Sequence, residues 1–198
     1  MNEPPALPDI RTDDSFENRE FKNISVEQIR IVGKEFYRCN FQMCKFQGTT
    51  FQDCRFEQCG FADCDLSLVK MLNTGLFDVT FRKSKLVGID WTKANKHMSF
   101  GFFDCNLCNS TFFGLNLSKT NLIDCQLGNV DFTEANLTRC ICKGSDFREA
   151  RFNNTDLSYA NFSDAQNYMI NPNSNKLKKT RFSLPGAVSL YCPVWILF

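Results

Sequence analysis

Eleven cysteines in this chain of 198 residues are the side chains that could bind a metal, act as nucleophiles or form disulfides. Cys105 and Cys108 form a Cys-x-x-Cys motif, but neither a second pair nor a histidine partner follows it, so zinc binding is not indicated. His97 is the only histidine and has no carboxylate near it in the sequence, which favours a surface residue over a catalyst.

The spacing of the cysteines favours packing over chemistry. Eight of them stand at the small inward position, two residues before a member of the five-residue apolar series described below: Cys39, Cys44, Cys54, Cys59, Cys64, Cys105, Cys125 and Cys140. At such a position cysteine behaves as a compact hydrophobic residue. The first residues carry acids and prolines and lack the apolar core of a secretory signal, so we expect a cytoplasmic protein with reduced thiols.

The remaining composition gives no support to an enzyme. We find no paired carboxylates, no nucleophile with a base, and no glycine-rich phosphate loop. The sequence therefore predicts no catalytic residue, no cofactor, no metal and no small-molecule substrate. A formal net charge of +1 does not favour direct nucleic-acid binding, and no apolar stretch is long enough for a membrane span.

A large apolar residue recurs every fifth position through most of the chain, a period that fits neither a helix nor a simple strand. The first series runs through Phe16, Phe21, Val26, Ile31, Phe36, Phe41, Phe46, Phe51, Phe56, Phe61, Leu66, Met71, Leu76, Phe81, Leu86 and Trp91. A second series, one residue out of phase, runs from Phe102 to Phe162. A small residue precedes each large one by two positions, so both face the same side of an extended chain. Such a unit buries its apolar pair only by stacking on copies of itself.

The units, such as ANLTR and TDLSY, resemble the pentapeptide-repeat family over residues 16–167. In that family four pentapeptides form one square coil, so the resemblance implies an all-β fold, a right-handed quadrilateral β-helix with a short C-terminal cap. Residues twenty apart should then stack, as Phe21, Phe41, Phe61 and Phe81 would. We assign residues 1–14 to a flexible tail, 15–167 to the β-helix, and 168–198 to a connector followed by a cap or dimer segment.

Residues 92–101 interrupt the repeat, because eleven positions separate Trp91 from Phe102 where ten are expected. A bulge or small loop would absorb the extra residue, either as a partner contact or as a tolerated insertion. At the other end the apolar residues Val194, Trp195, Ile196, Leu197 and Phe198 either cap the last coil or form a dimer contact. We favour a homodimer.

Three segments resemble the bacterial branch of the family that protects type II topoisomerases, which includes the Qnr, microcin immunity and albicidin-resistance proteins. They are DCDLSLVKMLNTGLFDVTFRKSKLVGIDWTKA, DCQLGNVDFTEANL and RFSLPGAVSL. The resemblance implies a rod that imitates DNA and occupies the DNA-binding saddle of gyrase.

The acidic residues offer a candidate surface for such a contact. Asp104, Asp124 and Asp164 fall twenty apart, with Gly144 interrupting, and Asp63 extends the series beyond Lys83. A column of carboxylates could imitate a phosphate strand. The alternative is a generic protein-binding scaffold, which needs neither an acidic stripe nor two-fold symmetry. The first hundred residues, with fourteen acids and fourteen bases, fit that alternative equally well.

Overall fold

The computed structural model describes Ile10 and residues 13–184, which wind into a β-solenoid of about eight turns. Fifteen short strands occur in this part of the chain. They are β1 Ser15–Glu17, β2 Glu20–Lys22, β3 Arg30–Val32, β4 Glu35–Tyr37, β5 Asn40–Gln42, β6 Thr50–Gln52, β7 Arg55–Glu57, β8 Gly60–Ala62, β9 Lys70–Leu72, β10 Gly75–Phe77, β11 Val79–Arg82, β12 Phe100–Phe103, β13 Asn121–Ile123, β14 Asn161–Phe162 and β15 Arg181–Phe182.

All strand pairs are parallel, and they stack into separate faces of the solenoid. One face has the order β1-β4-β7-β10, the next β2-β5-β8-β11-β12-β13, and a third β3-β6-β9. A fourth column is made of single bridges, which begin with Ser25 to Lys45 and Lys45 to Asp65. The register is twenty residues, so that Phe41 pairs with Phe61 and Phe61 with Phe81. These features confirm the predicted quadrilateral β-helix; the cap lies outside the described residues.

The one-residue change of phase is absorbed between Trp91 and Ser99. A 3-10 helix forms at Trp91–Lys93, where the carboxylate of Asp90 accepts from the Thr92 N–H. The register across this segment is twenty-one, with Phe81 opposite Phe102. Ser99 still donates its backbone N–H to the Leu76 carbonyl at 2.8 Å, so stacking continues on both sides of the irregular segment.

The large residue of each pentapeptide fills the axis. Phe21, Phe41, Phe61 and Phe81 are buried, and their rings stack with centroids 4.5 to 5.1 Å apart. Trp91, Phe112, Phe132 and Phe152 form another stack, with centroids 5.4 to 5.7 Å apart. The predicted ladders therefore exist, and neighbouring stacks contact each other edge to face, which is the favourable geometry for aromatic rings.

The small inward residue does more than fill space, because its hydroxyl or thiol bonds the backbone of neighbouring coils. Ser145 donates to the Leu122 carbonyl at 2.8 Å and accepts from the Cys125 N–H at 2.8 Å. Cys44 donates to the Phe21 carbonyl at 3.3 Å in the same way. These bonds satisfy backbone groups at the corners that the parallel ladders leave out, and buried groups of that kind are costly when unpaired.

Each corner of the square follows from a left-handed residue two positions after the buried centre. In the described part of the chain, twenty-five non-glycine residues and five glycines have positive φ, and almost all of them stand at this position. Thirteen of the twenty-five are Asn or Asp, the residues that tolerate this conformation best. The outward faces therefore end in polar side chains that stack from coil to coil.

Parallel pairing extends to Phe182, further than the boundary at residue 167 that the periodicity indicates. Phe162 pairs with Phe182, and Lys176 bridges to Asp156. Leu177, twenty residues after Leu157, packs partly buried against the core. Ile10, in the segment predicted as a tail, is buried in the core cluster.

Candidate functional site

The predicted acidic residues stand at one corner of the solenoid. We define the carboxylate column as the six stacked corner positions Asp63, Lys83, Asp104, Asp124, Gly144 and Asp164. All six have positive φ, and all but Gly144 are exposed. The backbone N–H of each of the first five donates to the carbonyl just before the next member, at 2.9 to 3.2 Å. The column is therefore held by the backbone.

Among the described residues, the carboxylates of the column lack the cation partner that three other acids of the same coils have. Asp131 pairs with Arg151 at 3.1 Å, Asp146 with Arg148 at 3.8 Å, and Asp156 with Lys176 at 3.8 Å. Among the described residues, no lysine or arginine nitrogen lies within 4.0 Å of a carboxylate oxygen of the column. The column thus presents negative charge that short ion pairs leave uncompensated.

Asp131 shows what pairing does to a neighbouring carboxyl group. Partial burial alone would raise its pKa, but hydrogen bonds from the hydroxyl and N–H of Thr133, together with Arg151, leave the pKa below its ordinary value. The carboxylate of Asp131 is therefore bonded to neighbouring groups of the protein, whereas the carboxylates of the column face solvent.

The carboxylate of the preceding column member fills the gap that Gly144 leaves in the column. A Cβ at this position would lie 2.1 Å from Oδ1 of Asp124, so the carboxylate of Asp124 occupies the space that a side chain would need. Gly144 also has φ +70, which glycine adopts without strain. In the middle of the column, Lys83, Lys85, Asp104 and Asp124 border a shallow groove of about 250 Å³, so two lysines lie beside the aspartates.

The cysteines lie where the spacing predicts. The ten described cysteines carry free thiols, and all but Cys108 are buried. Burial raises the pKa of Cys140 to about 12 and that of Cys125 to about 12. In the stacked pair Cys39 and Cys59, contact with the Cys59 thiol lowers the pKa of Cys39, and the same contact together with burial raises the pKa of Cys59. Both sulfurs face the core, out of reach of a reagent.

Other candidate residues do not converge on a site in the part of the chain that the structure describes. Cys105 faces inward and Cys108 outward, and no group of three or more histidine, cysteine or acidic side chains there could hold a metal ion. His97 is exposed, and its backbone N–H donates to the side-chain oxygen of Asn95 at 3.1 Å. Within residues 13–184, no helix has the length and apolar character needed to cross a bilayer. The predicted dimer residues 194–198 lie outside the described residues.

Stacked pentapeptide coils with a buried aromatic axis define a class of repeat protein, and the sequence models of that class match this chain. The model described as "Pentapeptide repeat region" matches residues 34–101, and the one described as "Pentapeptide repeats (8 copies)" matches residues 102–139 and 131–166. The chain belongs to the pentapeptide-repeat family. No curated protein sequence matches it significantly.

Solved structures of the family share the fold. A trypsin-treated form of QnrB1, a plasmid-mediated fluoroquinolone resistance protein, is similar with a TM-score of 0.63 and 16% identity, over 89% of this chain and 96% of that one. HetL, which is involved in heterocyst differentiation regulation in the cyanobacterium Nostoc, has a TM-score of 0.56 and 15% identity, over 85% of this chain and 87% of its own. At these identities the likeness shows the fold alone.

The sequence identified the members of the column but not the corner that holds them. The missed signal is the enrichment of Asn, Asp and Gly two positions after each buried centre, a preference typical of left-handed backbone. The same position also holds Leu68, which the sequence analysis did not single out.

Proposed function

We propose that this protein is a non-catalytic, DNA-mimicking rod that binds a bacterial type II topoisomerase in the cytoplasm and protects it from inhibitors. The observation that carries the proposal is the carboxylate column, whose exposed aspartates stack along the rod with no cation partner among the described residues. The resemblance of three segments of the chain to the topoisomerase-protecting branch of the family supports the same function.

The spacing of the charges along the column can be compared with the spacing of phosphates along DNA. Neighbouring coils lie ~4.8 Å apart, whereas phosphates follow one another about every 3.4 Å along a DNA strand. With Gly144 and Lys83 interrupting, the column carries a lower charge density than a phosphate strand. We therefore expect binding that weakens with added salt, because the carboxylates must meet a basic groove across solvent.

A charge-matched pair of variants tests the column. Replacing Asp104, Asp124 and Asp164 together with Asn should lower affinity for gyrase on the order of tenfold, if each exposed contact contributes about 0.2–1 kcal/mol. The control replaces the cation-paired residues Asp131, Asp146 and Asp156 with Asn, which changes net charge by the same amount. It should retain most of the affinity, because those carboxylates are already compensated.

The assays are binding to gyrase at two salt concentrations and gyrase supercoiling in the presence of a topoisomerase poison, with DNA as a competitor. The melting temperature of the column variant should stay close to that of the parent, since exposed charges contribute little to stability. Equal loss in both triple variants would assign the effect to net charge. Full protection by the column variant would refute electrostatic mimicry.

A generic protein-interaction scaffold is the second candidate function. Lys83 within the column, Lys85 beside it and the formal net charge of +1 favour it, because a DNA mimic gains from uniform negative charge. Binding of the parent protein to gyrase at low salt distinguishes the two functions. A parent protein that shows no contact with gyrase at low salt would leave the scaffold as the function.

We also propose that the chain forms a homodimer through Val194, Trp195, Ile196, Leu197 and Phe198. Two-fold symmetry would let both halves of a dimer contact a symmetric enzyme, which raises affinity through avidity. Deleting these five residues should give a monomer by sedimentation and weaken gyrase binding. A truncated protein that remains a dimer would exclude them as the contact.

A further inference from the structure

Leu68 occupies a position where an exposed apolar side chain is costly. It stands at a corner with φ 59, a conformation that Asn and Asp adopt more readily than leucine does. Its side chain is nevertheless 56% exposed. Because this exposed leucine also lines a groove, it points to a contact outside the described fold.

Leu68 forms one wall of a groove of about 550 Å³ between its corner and the adjoining face. Leu72 of β9 and Gly88, the corner residue one coil further on, also line the groove. A Cβ on Gly88 would lie 2.8 Å from Cδ2 of Leu68, so glycine at 88 makes room for the leucine along the groove wall. The groove is therefore formed by two leucines and a glycine on successive coils.

The rim of the groove is basic. Lys70 and Lys93 line it together with Asp90, whose Oδ1 accepts from the N–H of Thr92 at 3.0 Å and whose Oδ2 lies 4.0 Å from Nζ of Lys93. Among the described residues, no carboxylate oxygen lies within 4.0 Å of Nζ of Lys70. The one carboxylate is thus engaged locally, and the groove keeps an excess of positive charge beside apolar walls.

We propose that this groove binds an acidic segment of a partner protein, with an apolar side chain of that segment between Leu68 and Leu72 and its carboxylates beside Lys70 and Lys93. Charge complementarity selects this occupant over a basic one. The site is separate from the carboxylate column, carries the opposite charge and does not depend on gyrase binding. It gives the rod a second partner surface, one face away from the first.

The test uses a random peptide-display library selected on the full chain, followed by titration of the best synthetic peptide and of its charge-reversed form, with Lys in place of each acid. Enriched peptides should carry an apolar residue flanked by Asp or Glu, and charge reversal should abolish binding. Leu68→Asn should weaken the peptide on the order of tenfold, since it removes most of one buried leucine contact while favouring the corner conformation.

Met43→Asn is the matched control, because Met43 is also an apolar corner residue, with φ 52 and 46% exposure, on another corner. It should leave peptide affinity unchanged within about twofold, as remote and independent sites do. Lys70→Glu should weaken binding more than Lys45→Glu, which removes an exposed lysine outside the groove.

Several results would overturn the proposal. They are a library that yields no enriched peptide, enriched peptides with basic flanks, and equal binding by the Leu68→Asn variant. Self-association that Leu68→Asn abolishes would assign the groove to a second copy of this chain.

Discussion

Truncating Phe61 should reveal how much stability each coil contributes to the rod. Its ring stacks on Phe41 at 4.5 Å and on Phe81 at 5.1 Å, and it contacts Phe56 edge to face at 5.6 Å. Phe61→Ala would leave an axial cavity that rigid coils above and below cannot fill. A cost of about 3–5 kcal/mol follows from core truncations of this size, which includes the lost ring contacts.

Urea denaturation followed by far-UV circular dichroism measures this cost. With a slope of about 2 kcal/mol per molar, the midpoint should fall by roughly 1.5–2.5 M. Because coils contact only their neighbours, a weakened central interface should also broaden the transition as the two parts begin to unfold separately.

Two further variants make the result interpretable. Phe61→Leu should cost less than about 1.5 kcal/mol, since Leu122 occupies the same stack further along the rod. Phe113→Ala removes a ring that is 46% exposed and should cost no more than about 0.5 kcal/mol. Equal losses for Phe61→Ala and Phe113→Ala would refute the account of an axial core.

Three other predictions concern single groups. Ser145→Ala should destabilise the fold by about 1–3 kcal/mol in denaturant, because it leaves the Cys125 N–H and a buried carbonyl unpaired; a neutral effect would mean that the bonds contribute nothing. Among the described cysteines, only Cys108 should react with a thiol reagent in the native protein, and labelling followed by mass spectrometry would contradict this if a buried cysteine reacted as fast. The lowered pKa of Asp131 contributes stability that is present above about pH 4 and is lost as the pH falls below it. Asp131→Asn should therefore make the loss of stability at acid pH less steep. An unchanged dependence of stability on pH would count against the pairing of Asp131 with Arg151.

The sequence was sufficient for the fold because one period controls every coil. Phe41, Phe61 and Phe81 repeat at twenty residues and lie in one row, as stacked coils of four pentapeptides require. The twenty-one-residue register at Trp91 was also visible as a change of phase, although its 3-10 helix was not, since that depends on the local bond between Asp90 and Thr92. The end of the solenoid was harder to predict, because the pairing of Lys176 and Arg181 uses polar residues that carry no apolar signal.

The candidate surfaces could be predicted only in part, because they depend on contacts between side chains on different coils. The sequence placed Asp104, Asp124 and Asp164 in one row, but the absence of short ion pairs to them among the described residues required coordinates. The Leu68 groove was not predicted, because Leu68 reads as an ordinary apolar residue until its corner conformation is known.

The corner position links the fold to both proposed contacts. Residues at the pentapeptide centre are fixed by axial packing, so changing them costs stability, whereas a corner requires only a residue that tolerates positive φ. Corner side chains are therefore free to carry the charges and apolar groups that a partner recognises, and they stack into straight rows because the register is constant. An aspartate row and a leucine groove can thus lie on adjacent corners of one rod, and each can be altered by Asn substitutions that the fold already accepts at Asn73 and Asn129.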